Sequence, residues 1–166
     1  DEVFVVGRGE SMDAVEGLFG KTRKRSAHRA MLVGGGEIGF SVARELERLN
    51  IDVVLIERDV RRADQLAEML HDTTILNGDG TNLPLLEEEG AGNVDVFIAV
   101  SPDDETNLMA GLLAKRLGCK KVVALVHRPD YGPIYEQLGI DAAISPRLLA
   151  ARQIVKYVRE GEVAST

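Results

Sequence analysis

The run Met31-Leu32-Val33-Gly34-Gly35-Gly36-Glu37-Ile38-Gly39 is apolar at first, then breaks into glycines spaced G-x-G-x-x-G and opens a helical pattern. Residues of these types at this spacing suit one kind of chemistry, the cradling of a diphosphate. Gly34 permits a tight turn out of a strand, Gly36 has no Cβ to hold a pyrophosphate away, and Gly39 lets the following helix lie close to a sheet. The first-turn amides, at Glu37 and Ile38, have the positive end of the helix dipole behind them and favour an anionic oxygen without any basic side chain.

Downstream, Ile38, Val42, Leu46 and Leu49 mark one helical face, and Asp52-Val53-Val54-Leu55-Ile56-Glu57 reads as a second strand. Glu57 closes that strand about 20 residues beyond the glycines, where a carboxylate accepts hydrogen bonds from both hydroxyls of an adenosine ribose. The plainer alternative is a solvated charge at a strand end. A carboxylate here repels a 2′-phosphate, which disfavours NADP despite Arg58 next door.

The elements that must hold these residues follow from the apolar blocks. Short continuous runs over Ala30–Val33, Val53–Ile56, Thr73–Leu76, Val94–Val100, Val122–Val126 and Ala142–Ile144 predict six strands, with helices starting near Gly36, Val60, Leu83, Asp104, Asp130 and Pro146. This alternation predicts an α/β fold: a Rossmann-like, doubly wound parallel sheet in the order 3-2-1-4-5-6, with helices on both faces and right-handed crossovers. Ligands of such sheets sit beyond the carboxyl ends of the strands where the winding reverses, here the loops after strands one and four.

Those loops carry the remaining candidates. After strand three, Gly78-Asp79-Gly80-Thr81 allows a tight backbone path with Asp79 near an adenine or ribose edge; alternatively it is an ordinary turn with Thr81 or Asn82 capping the next helix. After strand four, Ser101 leads into Asp103-Asp104-Glu105, either a helix N-terminal charge cluster complementing the dipole or part of a ligand or ion site. Strand five ends at His127-Arg128-Pro129-Asp130. Arg128 is a candidate phosphate partner, the alternative being an ion pair with Asp130. His127 reads as a hydrogen-bonded strand-end histidine with no evident acid partner, and His28 and His71 fall in linker and helix-end contexts. Ser145 and Pro146 open a last helix with Leu148, Leu149, Ile154, Val155 and Val158 on a broad stripe, which either packs on its own sheet or swaps onto a neighbouring copy.

Composition sets outer bounds. The 166 residues, 45% hydrophobic, supply one main domain. A net charge of -7, with three Tyr, four Phe and no Trp, argues against nucleic acid, which calls for a basic face and stacking platforms. The single Cys119 reads as a buried thiol in a reducing compartment. No apolar run reaches the 18 or more residues of a membrane helix, so the chain is expected to be soluble and to meet a membrane only through a partner. A start at Asp1 rather than Met suggests a fragment of something longer. Glu2–Val6 reads as a strand and Ser11 caps a short helix, while Gly7-x-Gly9 imitates a dinucleotide turn but has Met12 in the third position. The basic stretch 21–29 reads as a linker ahead of the main domain at 30–163.

Taken together, Val33 to Gly39, Leu55-Ile56-Glu57-Arg58, Gly78-Asp79-Gly80-Thr81, Ile98-Ala99-Val100 with Asp103 to Met109, and Ala143-Ile144-Ser145-Pro146 resemble the nucleotide-binding domain of the TrkA family. These are cytoplasmic regulatory subunits of bacterial Trk potassium uptake, built from RCK (KTN) domains. The resemblance spans roughly Ser26 to Val163 and is nearest the second of two such domains, with 1–20 resembling the closing strand and helix of the preceding small RCK lobe. It implies a regulator that binds NAD(H) or ATP/ADP, forms a homodimer or tetrameric ring, and docks on the membrane-embedded potassium-translocating subunit. That partner would hold it at the inner face of the cell membrane. By the same resemblance Gly34, Gly36 and Gly39 hold phosphates, Glu57 holds ribose, Asp79 lies by the adenosine end and Arg128 near the phosphates. Glu37, Ile38, Arg58, Gly80, Thr81 and Ser101 complete the implied site, and the last helix is the dimer-crossing one.

A complete nucleotide cradle without catalytic machinery implies a non-catalytic sensor. One alternative is a small NAD-dependent oxidoreductase. Against it, no Tyr is followed four residues later by Lys, His127 lacks an acid partner, and no substrate domain is read in these residues. Another is a structural RCK copy with a degenerate site.

Overall fold

Arg29-Ala30-Met31-Leu32-Val33 runs as strand β1, one residue earlier than the linker boundary expected, because Arg29 already pairs with Asp52 of the neighbouring strand. The computed structural model describes residues 27–163. The predicted strand at Glu2–Val6, the helix capped by Ser11, the lobe remnant at 1–20 and linker residues 21–26 lie outside the described residues. Strands β2 (Asp52–Glu57), β3 (Thr73–Asn77), β4 (Val96–Ala99), β5 (Val122–Leu125) and β6 (Ala142–Ile144) join β1 in one parallel sheet ordered β3-β2-β1-β4-β5-β6. This is the predicted doubly wound, Rossmann-like arrangement.

Between the strands lie α1 (Glu37–Arg48), α2 (Val60–Met69), α3 (Leu83–Glu88), α4 (Asp104–Leu117) and α5 (Gly132–Gln137), with α6 (Pro146–Val163) after the last. Side chains of a strand alternate between faces, so continuous apolar runs feed two cores at once. Ala30, Leu32, Val53, Leu55, Val96 and Ile98 pack with Ala43 and Leu46 of α1 and Leu66 of α2. Met31, Val33, Val54, Ile56, Phe97 and Ala99 pack with Leu86 of α3, Ala110 and Ala114 of α4 and Tyr135 of α5. Both faces of the sheet are covered, and the C-terminal strand ends carry the loops that matter below.

Two elements differ from expectation. β4 is shorter than the apolar block Val94–Val100, because a 3-10 turn at Ala91–Asn93 precedes it and the Asp95 carboxylate accepts the amides of His28 and Arg29 at 2.8 and 3.0 Å. The helix predicted near Asp130 begins at Gly132, behind a 3-10 turn over Pro129–Tyr131 that Pro129 initiates.

α6 begins as predicted, with Pro146 first and Ser145 Oγ accepting from Leu148 N at 3.4 Å. Beyond that it does not self-pack. Ile154, Val155, Tyr157 and Val158 are 64, 51, 80 and 56% exposed. Among the described residues no helix is long and apolar enough to cross a membrane.

Candidate functional site

The glycine turn joins β1 to α1. Gly34 has φ +102°, a left-handed conformation, and its amide donates to Ile56 O of β2 at 2.9 Å. A Cβ there would lie 2.7 Å from Ser101 N, so the turn is pressed onto the exit of β4. At Gly39 a Cβ would stand 1.9 Å from Gly34 O, which brings α1 hard against its own turn. Gly36 is different: it is the N-cap of α1, has no side-chain cap, and a Cβ on it would meet nothing within 4 Å. Gly36, Glu37 and Ile38 are exposed, and helix geometry leaves first-turn amides without an intrahelical acceptor. The result is an uncovered run of amides at a helix start.

Gly35, which the spacing left without a role, is buried, with Leu66 Cδ1 only 2.3 Å and Glu57 Oε2 3.0 Å from where its Cβ would be. Glu57 is half-buried at the end of β2. Its Oε2 accepts from Gly35 N at 2.7 Å and its Oε1 from Asp59 N at 2.8 Å, turning the carboxylate onto the glycine turn. Asn77 Nδ2 donates to the backbone oxygens of Glu57 and Arg58, fixing the end of β2. Arg62 of α2, absent from the sequence-derived set, donates from Nε to Gly35 O at 2.7 Å.

After β3, Gly80 is buried with its Cβ position 2.2 Å from Val33 Cγ1, so this loop lies over the end of β1 beside the glycine turn. Asp79 Oδ1 accepts from both the amide and hydroxyl of Thr81 at 2.8 and 2.7 Å, and Asn82 caps α3. The Thr81 hydroxyl and amide hold the Asp79 carboxyl below its ordinary range, with the charge of Arg58 adding to them. Arg58 itself is exposed.

The acidic triplet after β4 divides into separate tasks. Asp103 caps α4 by accepting from Thr106 N, and Glu105 is exposed in the first turn. Asp104 is buried; it accepts from His127 N and Nδ1 at 2.8 Å and from Arg128 N at 3.1 Å, tying α4 to the exit of β5. His127 therefore does have an acid partner, contrary to the sequence reading, which could not see a contact across 23 residues. Among the described residues no group of three His, Cys, Asp or Glu side chains could hold a metal ion. Arg128 is exposed and stacks over the Tyr131 ring at 4.5 Å with Nη1 on the Tyr131 hydroxyl, rather than pairing with Asp130. The amide of buried Ser101 donates to Asn107 Oδ1 at 2.8 Å.

Residues 30–146 match the family described as the TrkA-N domain. The chain belongs to the TrkA-N domain family. It is 42% identical over 158 residues to Trk system potassium uptake protein trkA homolog 1 of Methanosarcina mazei, covering 94% of this chain and 38% of that protein. Against Trk system potassium uptake protein TrkA of Vibrio alginolyticus it is 41% identical over 165 residues, covering 99% of this chain and 36% of that one. The chain thus spans little more than a third of these relatives. Among solved structures, the TrkA-N domain of inner membrane protein ybaL from Escherichia coli superposes with TM-score 0.71 at 19% identity, over 80% of this chain and 98% of that one. The GsuK channel bound to NAD gives 0.63 at 20% identity, over 74 and 22%. The Kef C-terminal domain of Shewanella denitrificans in its AMP-bound form gives 0.66 at 16%, over 83 and 82%. At these identities the structures share the fold.

In this TrkA-N domain Asp104 is also expected to set an acid limit on stability. Burial pushes its carboxyl up, but the His127 amide and ring and the Arg128 amide outweigh that and hold the pKa below its ordinary 3.8. A carboxyl lowered in the folded state stabilises above the unfolded pKa and loses that contribution as pH falls through the folded value. Urea midpoints followed downward from pH 6 are expected to be flat to about pH 4 and then to drop. Asp104→Asn is expected to start lower and drop less, the remaining drop coming from Asp79 and Asp103, which are also lowered. Parallel curves would assign the acid sensitivity to other carboxyls.

Proposed function

We propose that this TrkA-N domain is a non-catalytic nucleotide sensor in a cytoplasmic regulatory subunit of potassium transport. The observation that carries the reading is the open space over Gly36 at the start of α1, with the Glu57 carboxylate turned onto the adjacent Gly35 amide. A phosphate there would meet uncovered first-turn amides and the helix dipole. Each carboxylate oxygen of Glu57 accepts one backbone amide and retains acceptor capacity, so a ribose diol can add without displacing either. The ligand class is NAD(H) or ATP/ADP, supported by fold relatives bound to NAD and to AMP, which share the adenosine phosphate. Asp79, Gly80 and Thr81 at the β3 exit, Ser101 at the β4 exit, and Arg58 and Arg128 border this space in the proposal.

The names of the relatives support a membrane potassium-translocating partner. The exposed apolar row of α6 suits a homodimer, and by extension a ring. Nucleotide binding would act on that assembly through its preference for one arrangement over another, since a ligand shifts a two-state equilibrium only by differential affinity.

Titration calorimetry of the chain with NADH, NAD, ATP and ADP tests the reading, and absence of binding at millimolar ligand would end it in favour of a structural copy with a degenerate site. Glu57→Ala is expected to weaken ribose-containing ligands by about 1–3 kcal/mol, for loss of a charged acceptor. Unchanged affinity in that variant would leave the carboxylate with a structural task alone. The Asp104–His127 pair removes one of the grounds against an oxidoreductase, so a hydride-transfer assay with common alcohols and acids belongs beside the titration; turnover would replace the sensor with an enzyme.

A further inference from the structure

The turn that would hold the phosphates is gripped from both sides. Gly35 donates its amide to Glu57 Oε2, while its carbonyl accepts from Arg62 Nε, each at 2.7 Å. The circuit closes through α2: Glu57 Oε1 accepts from Asp59 N, and Asp59 Oδ1 accepts from Arg62 N, both at 2.8 Å. Four hydrogen bonds thus link the glycine turn, the end of β2 and the first turn of α2 through Glu57-x-Asp59-x-x-Arg62. Bulk cannot do this locking, because Gly35 has no side chain and its Cβ position is taken by Leu66 Cδ1 at 2.3 Å.

We infer that Arg62 is a positioning residue of the glycine turn: its Nε–H holds the Gly35 carbonyl so that the neighbouring amides keep the geometry a phosphate requires, without touching the ligand itself. The inference rests on the nucleotide reading only for its effect on affinity. A ligand-contacting Arg would act through its charge. A positioning Arg acts here through one N–H at one atom, and that difference is testable, because Gln carries an N–H₂ group at the same chain position as Arg Nε without the charge, whereas Met keeps the length and offers no donor.

The experiment compares the full chain with Arg62→Met and Arg62→Gln by two readouts, affinity for NADH and ADP by calorimetry and amide exchange at Gly35 by NMR. Arg62→Met is expected to lose about tenfold in affinity, and to speed Gly35 exchange by a similar factor while Met31 and Leu32 in β1 exchange as before. Arg62→Gln is expected to restore both to within about threefold of the parent. Equal losses in the two variants would overturn the inference in favour of a charge contact, and no change in either would overturn it outright. Should the parent bind neither ligand, the nucleotide reading fails while the exchange of Gly35 still decides the part played by Arg62.

Discussion

Asn107→Leu is expected to remove about 4 kcal/mol of folding stability, the largest loss foreseen for a single side chain in this domain. Asn107 is fully buried on α4, where Oδ1 accepts from Ser101 N at 2.8 Å and Nδ2 donates to Ser101 O at 2.9 Å and Leu125 O at 3.1 Å. One amide therefore ties the exit of β4 to the last residue of β5. Leucine has the same branched heavy-atom skeleton, so no cavity is left, and its two bulkier methyls add some overpacking; the main cost is three backbone groups left without partners in the core, at about 1–3 kcal/mol each before relaxation. Asn107→Asp keeps the acceptor for Ser101 N but turns an ionised oxygen on two carbonyls, and is expected to cost at least as much at neutral pH and less in acid. Equilibrium urea unfolding measures both. A loss below about 1 kcal/mol for Asn107→Leu would mean that water or a shifted loop takes over the bonds.

The fold was legible because its signals are local and repeat. Continuous apolar blocks such as Val53–Ile56 suit strands buried on both faces, as in a parallel sheet covered by helices, and the structure splits each block between two cores. The strand order followed from the alternation with helices. Boundaries failed where a side chain from far along the chain set them, as Asp95 does by holding His28 and Arg29 at 67 and 66 residues' distance. The last helix was ambiguous for another reason: Ile154, Val155 and Val158 are a core face in composition, and exposure is a property of what surrounds them.

The candidate site was legible in its backbone and not in its cross-links. Glycine spacing encodes turn and close approach, so the left-handed turn at Gly34 and the tight packing at Gly39 could be read from position alone. Asp104 with His127, and Arg62 with Gly35, join residues 23 and 27 positions apart, and nothing in either local pattern names the other partner. Asn107 did leave a trace. It shares the helical phase of Ala110, Gly111 and Ala114, all buried, so a lone amide on the apolar face of α4 announced a buried polar group in need of partners.

Gly39→Ala, paired with Gly36→Ala, separates what the glycines do for the fold from what they do for a ligand. At Gly39 the added methyl would stand 1.9 Å from Gly34 O and 2.9 Å from Gly34 C, both backbone atoms, so α1 has to lift off its turn. Overpacking of this kind costs about 3 kcal/mol and displaces the first-turn amides, so stability and nucleotide affinity are expected to fall together. At Gly36 the methyl meets nothing within 4 Å and φ is -67°, which alanine adopts readily. Stability of Gly36→Ala is therefore expected within about 0.5 kcal/mol of the parent. Its methyl nevertheless enters the space reserved for phosphate, so affinity for ADP and NADH is expected to drop about tenfold or more while affinity for adenosine holds. Thermal melts and calorimetry on the two variants read both quantities. If Gly36→Ala binds ADP like the parent, the phosphate does not sit over α1, and the open end of that helix would owe its shape to something other than a nucleotide.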